Sequence, residues 1–471
     1  MNERIEKIHY DWLACPTGDP FADAGGYALN EFSKRFPDDD ILQLIEKVTE
    51  IYVRKWNGKL NPFFLNSKIT QPAFNNERKI EETIKYFKSL INEDAPSAKG
   101  RCRIVGQETC LFEAGRDNTV LTGSGTFVNF HHTFQTGIML SKEAIIRFFF
   151  LPLAAVFLQG KIAVIQSNNY QLSAMFSVDN CSKNMAAISN GMSDGVLKSE
   201  CKAVGTALFR FADKAINQKK LFGEGDDSLS LYLFTNFGAS PEITIYTMPS
   251  EVFCFYSFTQ KMNYKDQWNA FVNKYYSNSE YKSIKYDEAF SAFDVVEKKE
   301  HFMIDSSEFI FWRNSIYEKL LRPEGNILKE LLQWSRKHIL DMRIIELYET
   351  KVRNMKKETI AKINQMADFI LQSNDDNGIK KAIKKLDAAK NSYMLRRFVI
   401  KDIVAKYYNE NNEEAIVTVE DYAEYLFPDT ESWKEIRDVL LIAIYQKLHE
   451  KNIVIETELQ DDEDNENNND N

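Results

Sequence analysis

The chain reads as an α+β protein: a mixed α/β N-terminal domain over residues 1–324, then an all-α helical bundle over 325–455, then an acidic tail over 456–471. Three observations predict this. Short β-branched runs such as "KIAVIQS" (161–167) and "EITIYTM" (242–248) alternate with amphipathic helical patterns through the first 300 or so residues. After about residue 325 the strand signals nearly vanish and apolar residues recur at helical spacing. Finally, 471 residues are too many for one compact core, while 44% hydrophobic and 27% charged content is that of ordinary globular protein.

Taken in order, "DPFADAGGYALNEFSKRF" places Gly25 and Gly26 as a turn leading into a helix. "DDDILQLIEKVTEIYVRKW" is a second helix, with Ile41, Leu44, Ile45, Val48 and Tyr52 on one face. The run 144–158, "AIIRFFFLPLAAVFL", has 15 residues including Arg147 and Pro152. A membrane span needs about 20 apolar residues, so this is a buried helix. In 231–256, "LYLF" is a strand and "TNFGASP" a connection in which Asn236, Gly238 and Pro241 suit unusual dihedrals and a turn. "EITIYTM" alternates Ile243, Ile245 and Thr247 against Thr244 and Tyr246 as a half-buried strand; Pro249 stops it, and "EVFCFY" begins another strand or a helix. The near absence of charge across this stretch points to the middle of a packed domain.

Four stripes make the bundle: Ile327, Leu328, Leu331, Leu332, Ile339, Met342 and Ile345; then Val352, Met355, Ile363, Met366 and Ile370; then Ile379, Ile383, Leu386 and Tyr393; then Trp433, Ile436, Leu440, Ala443 and Leu448. Thr418 and Asp421 form a capping-box pattern ahead of a short helix. The tail carries eight acids and no Lys or Arg over 456–471, so it cannot bury apolar surface and is expected to be disordered.

Enzyme chemistry finds no purchase in the sequence. The six histidines form no HExxH or HxH pattern, and no P-loop occurs. Asp38–Asp40 are acids of the kind a helix N-terminus attracts. His131 and His132, near Asn129, point opposite ways if they sit on a strand. "GDD" at 225–227 reads as a solvated turn. There is no CxxC, and Cys102 and Cys110, eight apart, make a poor zinc knuckle even with His131 or His132. The opening "MNERIEKIHYDWL" lacks the apolar run of a signal peptide, so the six scattered cysteines are expected as reduced thiols in the cytoplasm. The expectation is a non-enzyme with no cofactor.

Charge is the remaining signal. The net is −10, but removing the tail leaves −2. Over 378–401 stand Lys380, Lys381, Lys384, Lys385, Lys390, Arg396, Arg397 and Lys401 against one acid, Asp387, a net of +7. On a helix Lys380 faces Lys384 and Lys381 faces Lys385, and each like-charge pair costs roughly 0.2–0.5 kcal/mol. A second run, Lys351, Arg353, Lys356, Lys357 and Lys362, nets +4. A solvated helix face is one reading. Sequence-blind contact with a phosphate backbone is the other, since no base-reading motif accompanies the cations.

Two stretches carry a resemblance. "DWLACPTGDPFADAGGYAL" near the start and "LYLFTNFGASPEITIYTMPSEVFCF" in the middle resemble the large subunit of type I-B CRISPR Cascade, in the branch that usually carries a CXXC-CXXC zinc motif. In place of that motif stand "CRIVG", "GTFVNF" and "GIMLSKE". Cys102 is kept, while Val105, Leu140 and Glu143 occupy the other three cysteine positions. The resemblance therefore implies that the region keeps its fold without metal, with apolar packing in its place. It also implies a subunit of an RNA-guided antiviral complex, partnered by guide RNA, double-stranded target DNA and the backbone, guide-processing and small subunits. The N-terminal domain would stand at the PAM and the guide's 5′ handle, with Gln107, Asn129 and Asn236 as candidate PAM-side amides. The bundle, resembling a small subunit, would line the displaced strand of the R-loop with the basic helices 351–362 and 378–401. A helicase-nuclease recruited in trans would cut. Met342 and Met355 would be candidate internal starts for a separate small subunit. The alternative is a protein-only scaffold whose bundle docks partner helices, its lysines serving solubility.

Overall fold

The computed structural model describes residues 15–95, 97–122, 138–222, 226–237, 241–297, 299–410, 414–429 and 431–453. They form an α+β protein with sheets toward the N-terminus and helices toward the C-terminus. Two compact units result. One comprises Met1–Phe253, Ser277–Lys282 and Ile304–Tyr317; the other comprises Cys254–Tyr276, Ser283–Met303 and Glu318–Asn471.

The first unit is built on helix α1 (Pro20–Ser33), α2 (Ile41–Glu50), α3 (Asn76–Ile91), a small sheet of β1 (Ala98–Arg101), β2 (Glu108–Ala114) and β3 (Ile138–Leu140), and α4 (Lys142–Ala154). There follow β4 (Val156–Leu158), β5 (Lys161–Ser167), α5 (Tyr170–Ser189), α6 (Val204–Phe222), β6 (Leu229–Thr235) and β7 (Glu242–Met248). The four strands β4–β5–β6–β7 pair antiparallel in that order, with Val164 opposite Tyr232 and Leu231 opposite Tyr246.

α1 starts where the sequence allows a start. Asp19 accepts from the N–H groups of Phe21 (3.0 Å) and Ala22 (2.7 Å), and Pro20 takes the first helical position, where its missing N–H costs nothing. Gly25 and Gly26 are not a turn, as the sequence suggests, but lie inside α1. A Cβ on Gly25 would stand 1.9 Å from the Arg147 carbonyl oxygen, so the glycine permits α1 to lie against the backbone of α4. α2 begins with a complete capping box between Asp40 and Gln43, and Ile41, Leu44, Ile45, Val48 and Tyr52 all enter the core. The expected buried helix at 144–158 is α4 as far as Ala154; its last residues turn out as strand β4.

The middle stretch divides. β6 is buried, but β7 is the sheet's edge strand, and Ile243 and Ile245 are 42% and 52% exposed. The absence of charge thus marks a core strand and an uncovered edge together, not packed interior throughout. "EVFCFY" is helical, within α7 (Ser250–Thr259).

The second unit adds α8 (Lys265–Asn273), a three-stranded sheet of β8 (Ser283–Asp287), β9 (Ala292–Glu297) and β10 (Glu300–Ile304), and a run of helices: α9 (Leu328–Ser335), α10 (Met342–Leu347), α11 (Lys357–Gln372), α12 (Asp376–Asp387), α13 (Ser392–Phe398) and α14 (Trp433–Glu450). α14 is apolar on nearly every side from Ile436 to Leu448, which makes it the central helix; α9, α11, α12 and α13 pack on it. Two stripes read as continuous are interrupted. Between α9 and α10 the chain leaves the helix, and buried Gln446 of α14 satisfies the gap: its Oε1 accepts from Leu340 N (2.7 Å) and its Nε2 donates to the His338 carbonyl (3.4 Å). Ile339 is therefore exposed. Likewise Asn391 caps a new helix, α13, through Met394 N (2.9 Å), which turns Tyr393 outward. Three π-helical segments extend helices of this unit, at Tyr348–Val352, Val399–Val404 and Asp421–Leu426. The last follows the expected reciprocal cap, Thr418 N to Asp421 Oδ2 (2.9 Å) and Asp421 N to Thr418 Oγ1 (3.0 Å). Among the described residues no helix is long and apolar enough to cross a membrane.

Candidate nucleic-acid interface

α12 is capped by Asp375, which accepts from Gly378 N (2.8 Å), and is held by Ile379, Ile383 and Leu386 on its inner face. Lys380, Lys381, Lys384 and Lys385 occupy the opposite side; Lys380 is half-buried and the others are exposed. Asp387, the one acid of the run, is drawn off by Arg336 at 3.2 Å. Lys385 reaches Asp402 (2.6 Å) in the π-helical segment that continues α13. α13 buries Leu395 and Phe398 and exposes Tyr393 (70%) and Arg397, with Lys401 following; these three are spaced four apart along one helical path. Arg396 instead stacks on the Phe427 ring (5.0 Å) and donates to the Asp429 carbonyl (3.3 Å). Lys380, Lys381, Lys384, Lys390, Arg397 and Lys401 thus make no ion pair or side-chain hydrogen bond among the described residues.

The 351–362 run is spent differently. Arg353 binds Glu435 of α14 through Nη2 (2.6 Å) and Nε (3.2 Å). Lys356 lies over the Tyr425 ring (5.2 Å) and donates to the Glu424 carbonyl (3.4 Å). Lys362 pairs with Asp421 (2.8 Å). Only Lys351 and Lys357 extend outward without such contacts. Beside Arg353 lies Glu349, fully buried, with neither carboxylate oxygen hydrogen-bonded among the described residues. Burial, reinforced by the nearby Glu435 charge, pushes its carboxyl up to about 8.

In the first unit the segment from Cys102 to Gln107 forms a tight turn. Cys102 N donates to the Gln107 carbonyl and Gly106 N to the Cys102 carbonyl (both 2.9 Å), and Gly106 adopts φ +75°. Cys102 Sγ accepts from the N–H groups of Val105 (3.5 Å) and Ser141 (3.3 Å). Leu140 is buried beside it and Val105 packs on the same core. Backbone donors and apolar contacts surround the one sulfur, and no cluster of three or more metal-ligating side chains occurs among the described residues. Gln107 is exposed. Asn236 is fully buried and committed to the backbone: Nδ2 donates to the carbonyls of Phe63 (2.8 Å) and Thr119 (3.2 Å), and Oδ1 accepts from Leu121 N (3.2 Å). Its amide ties three loops together. Asn129, His131 and His132 lie outside the described residues. Asp227 of the "GDD" stretch is not a solvated turn residue; it is buried and accepts from Asn169 Nδ2 (3.3 Å).

One element escaped the sequence reading. Arg147, in the apolar α4, donates to Asp23 Oδ1 (3.3 Å) and to the Cys15 carbonyl (2.9 Å). Asp23 also accepts from Thr17 N (2.8 Å), Thr17 Oγ1 (2.7 Å) and Gly18 N (3.1 Å). An arginine within an apolar helix demands a counter-ion, and the "CPTGDPFADAGG" stretch supplies it.

In comparison with known families, residues 333–470 fit the family model described as the DevT C-terminal domain. The matched region begins in α9 and contains both basic runs. No curated protein and no solved structure matches the chain.

Proposed function

We propose that this chain is the non-catalytic large subunit of an RNA-guided surveillance complex of the type I-B Cascade kind. In this reading it acts with guide RNA and the backbone, guide-processing and small subunits, recognises PAM-flanked double-stranded DNA, and holds the displaced strand for a helicase-nuclease recruited in trans. The observation that carries it is the α12–α13 face, where six cations go unneutralised in a chain of net charge −10. The match of 333–470 to the DevT C-terminal domain supports the same assignment, since DevT is a large-subunit-like protein associated with type I-B Cascade. When guide pairing reads the sequence, the protein needs phosphate contact and stacking surfaces that are indifferent to sequence. Lys384, Arg397 and Lys401 supply the first, and exposed Tyr393 the second.

The test is target binding by the assembled complex as a function of salt. The variant K380E/K381E/K384E/R397E/K401E leaves Lys385 to its partner Asp402. Displaced-strand contact predicts a log–log salt slope shallower by up to about 3.5, from about 0.7 for each of five neutralised single-strand phosphates. Equal affinity and equal slope in variant and wild type overturn the reading. A protein-only scaffold is the second reading, favoured by exposed Met394, Ile400 and Tyr408 along the same stretch. On that reading the variant keeps its partner subunits and leaves the affinity and salt slope of DNA binding unchanged.

A further inference from the structure

The end of α14 stands close to the α12–α13 face, and the sequence that follows it is the electrostatic complement of that face. α14 closes in a Schellman motif. Asn452 adopts φ +55°, Asn452 N donates to the His449 carbonyl (3.0 Å), and Ile453 N donates to the Leu448 carbonyl (2.9 Å). The chain therefore turns out of the helix before Ile453. In the last turn His449 Nε2 donates to the Ser335 carbonyl (2.9 Å), and the next residue, Arg336, reaches Asp387 of α12 (3.2 Å). Asp387 lies one turn beyond Lys384. Two side-chain contacts thus connect the exit from α14 to the basic run.

Residues 454–471 lie outside the described residues. Over 456–471 their sequence carries eight acids, no Lys or Arg, and a single large apolar residue, Leu459. A chain of eighteen residues spans up to about 60 Å, and a flexible one averages about 25 Å end to end. α12 is only about 18 Å long, so the whole face is within reach of the exit point. Cations nearer the exit are already committed, Lys447 to Asp368 (2.7 Å) and Lys362 to Asp421 (2.8 Å). Those of the face are not: Lys380, Lys381, Lys384, Lys390, Arg397 and Lys401 have no acid partner among the described residues. With so little apolar surface the segment can attach only through charge. Each exposed pair is weak, but the tether holds eight acids beside six cations at an effective concentration on the order of millimolar.

We infer that the acidic segment 456–471 docks on the α12–α13 face of its own chain and is displaced from it by a nucleic-acid strand. Docking rests on this chain's own charges; displacement by a strand rests on the function proposed above. A docked segment makes the face selective. A single anion or a short oligonucleotide offers less charge than the segment and is turned away, whereas a long strand outcompetes it.

The experiment uses the full-length chain. A carbodiimide joins carboxylates to lysine amines in contact with them, and mass spectrometry of the digest locates the links; the Lys385–Asp402 pair serves as internal reference. At about 10 mM salt, where the Debye length is about 30 Å, links from 456–471 should concentrate on the lysines of the face. They should disappear at about 1 M, where that length is about 3 Å. In K380E/K381E/K384E/R397E/K401E the links to Lys390, which that variant keeps, should be lost. A fluorescent single-stranded oligonucleotide then follows displacement. Changing the eight acids to their amides alters no described contact and should tighten oligonucleotide binding about three- to tenfold at low salt, as expected when the segment occupies most of the face. Links spread evenly over the exposed lysines of both units, or joining two chains rather than one, overturn the docking. Tightening of the same size when the amide changes are made in K380E/K381E/K384E/R397E/K401E overturns it as well, since general repulsion then suffices. Links concentrated on the face, with an oligonucleotide affinity that neither the amide changes nor the charge reversal alters, support the docking and overturn the strand as its competitor.

Discussion

The α1–α4 contact of the first unit and the α12–α13 face of the second use the same cationic chemistry to opposite ends. Arg147 is sealed in apolar surroundings, and every group near its guanidinium serves to offset its charge: the Asp23 carboxylate, the Cys15 carbonyl, and the Thr17 and Gly18 donors that orient Asp23. Burial draws Arg147 below its ordinary value, and Asp23 works against that fall. On α12–α13 the local acids are engaged elsewhere, Asp387 by Arg336 and Asp402 by Lys385, and six cations remain. The 351–362 run lies between these extremes, with Arg353 and Lys362 neutralised by Glu435 and Asp421. What a basic residue does is therefore decided by whether the fold brings an acid to it, and the count of lysines in a window does not report that.

The sharpest way to break this comparison is at the sealed end. Arg147→Ala leaves Asp23 buried without its counter-charge, and the expected cost is about 3–5 kcal/mol of unfolding free energy. Chemical denaturation of the variant against wild type measures it. A loss below about 1 kcal/mol would mean that water reaches Asp23 and that the contact is no more enclosed than a surface pair.

Glu349 comes next, because it is a charge site without a sufficient partner. Its folded carboxyl titrates near 8, well above the value of an unfolded glutamate. Between about pH 4.5 and 8 the native state holds a proton that the unfolded state has released. Its contribution to stability is thus complete below about pH 4.5 and is lost as pH rises through 8. The wild-type slope is up to about 1.4 kcal/mol per pH unit in that window. Glu349→Gln removes this slope, so the variant should match wild type near pH 5 and exceed it by a few kcal/mol at pH 9. Thermal melts at both values decide, and equal pH dependence in the two proteins would place the Glu349 charge in contact with solvent or a cation.

Much of the architecture is legible from periodicity. Ile41, Leu44, Ile45 and Val48 announce α2, and the apolar stripe from Trp433 to Leu448 announces α14, because a helix that must bury a face repeats its apolar residues to do so. The misreadings share a cause. Gly25 and Gly26 look like a turn when the close approach of α4 is unseen, and Ile339 looks like core when Gln446, over a hundred residues later, is not known to hold the helix break. The candidate face is legible as composition but not as geometry. Sequence alone gives Lys380 and Arg353 the same weight, yet only Arg353 finds a carboxylate, and that carboxylate is on α14.

The smallest expected effect probes the open end, and its two readouts move apart. Asp402 is the acid that holds Lys385 on the α12–α13 face. Both side chains are well exposed, so Asp402→Asn should change stability by less than about 1 kcal/mol. It removes one negative charge from the face and releases Lys385 to join the six unneutralised cations. If the face holds a strand, binding should tighten a few-fold at low salt and the log–log salt slope should steepen by about 0.7, one further single-strand phosphate. A scaffold that uses the same helices to dock a protein predicts no such steepening, since the mutation alters no apolar contact. The direction of change separates the two: loss of an acid that strengthens binding in a salt-dependent way is the signature of a polyanionic partner, and an unchanged slope with intact assembly would leave the cations of α12–α13 as a solvated surface.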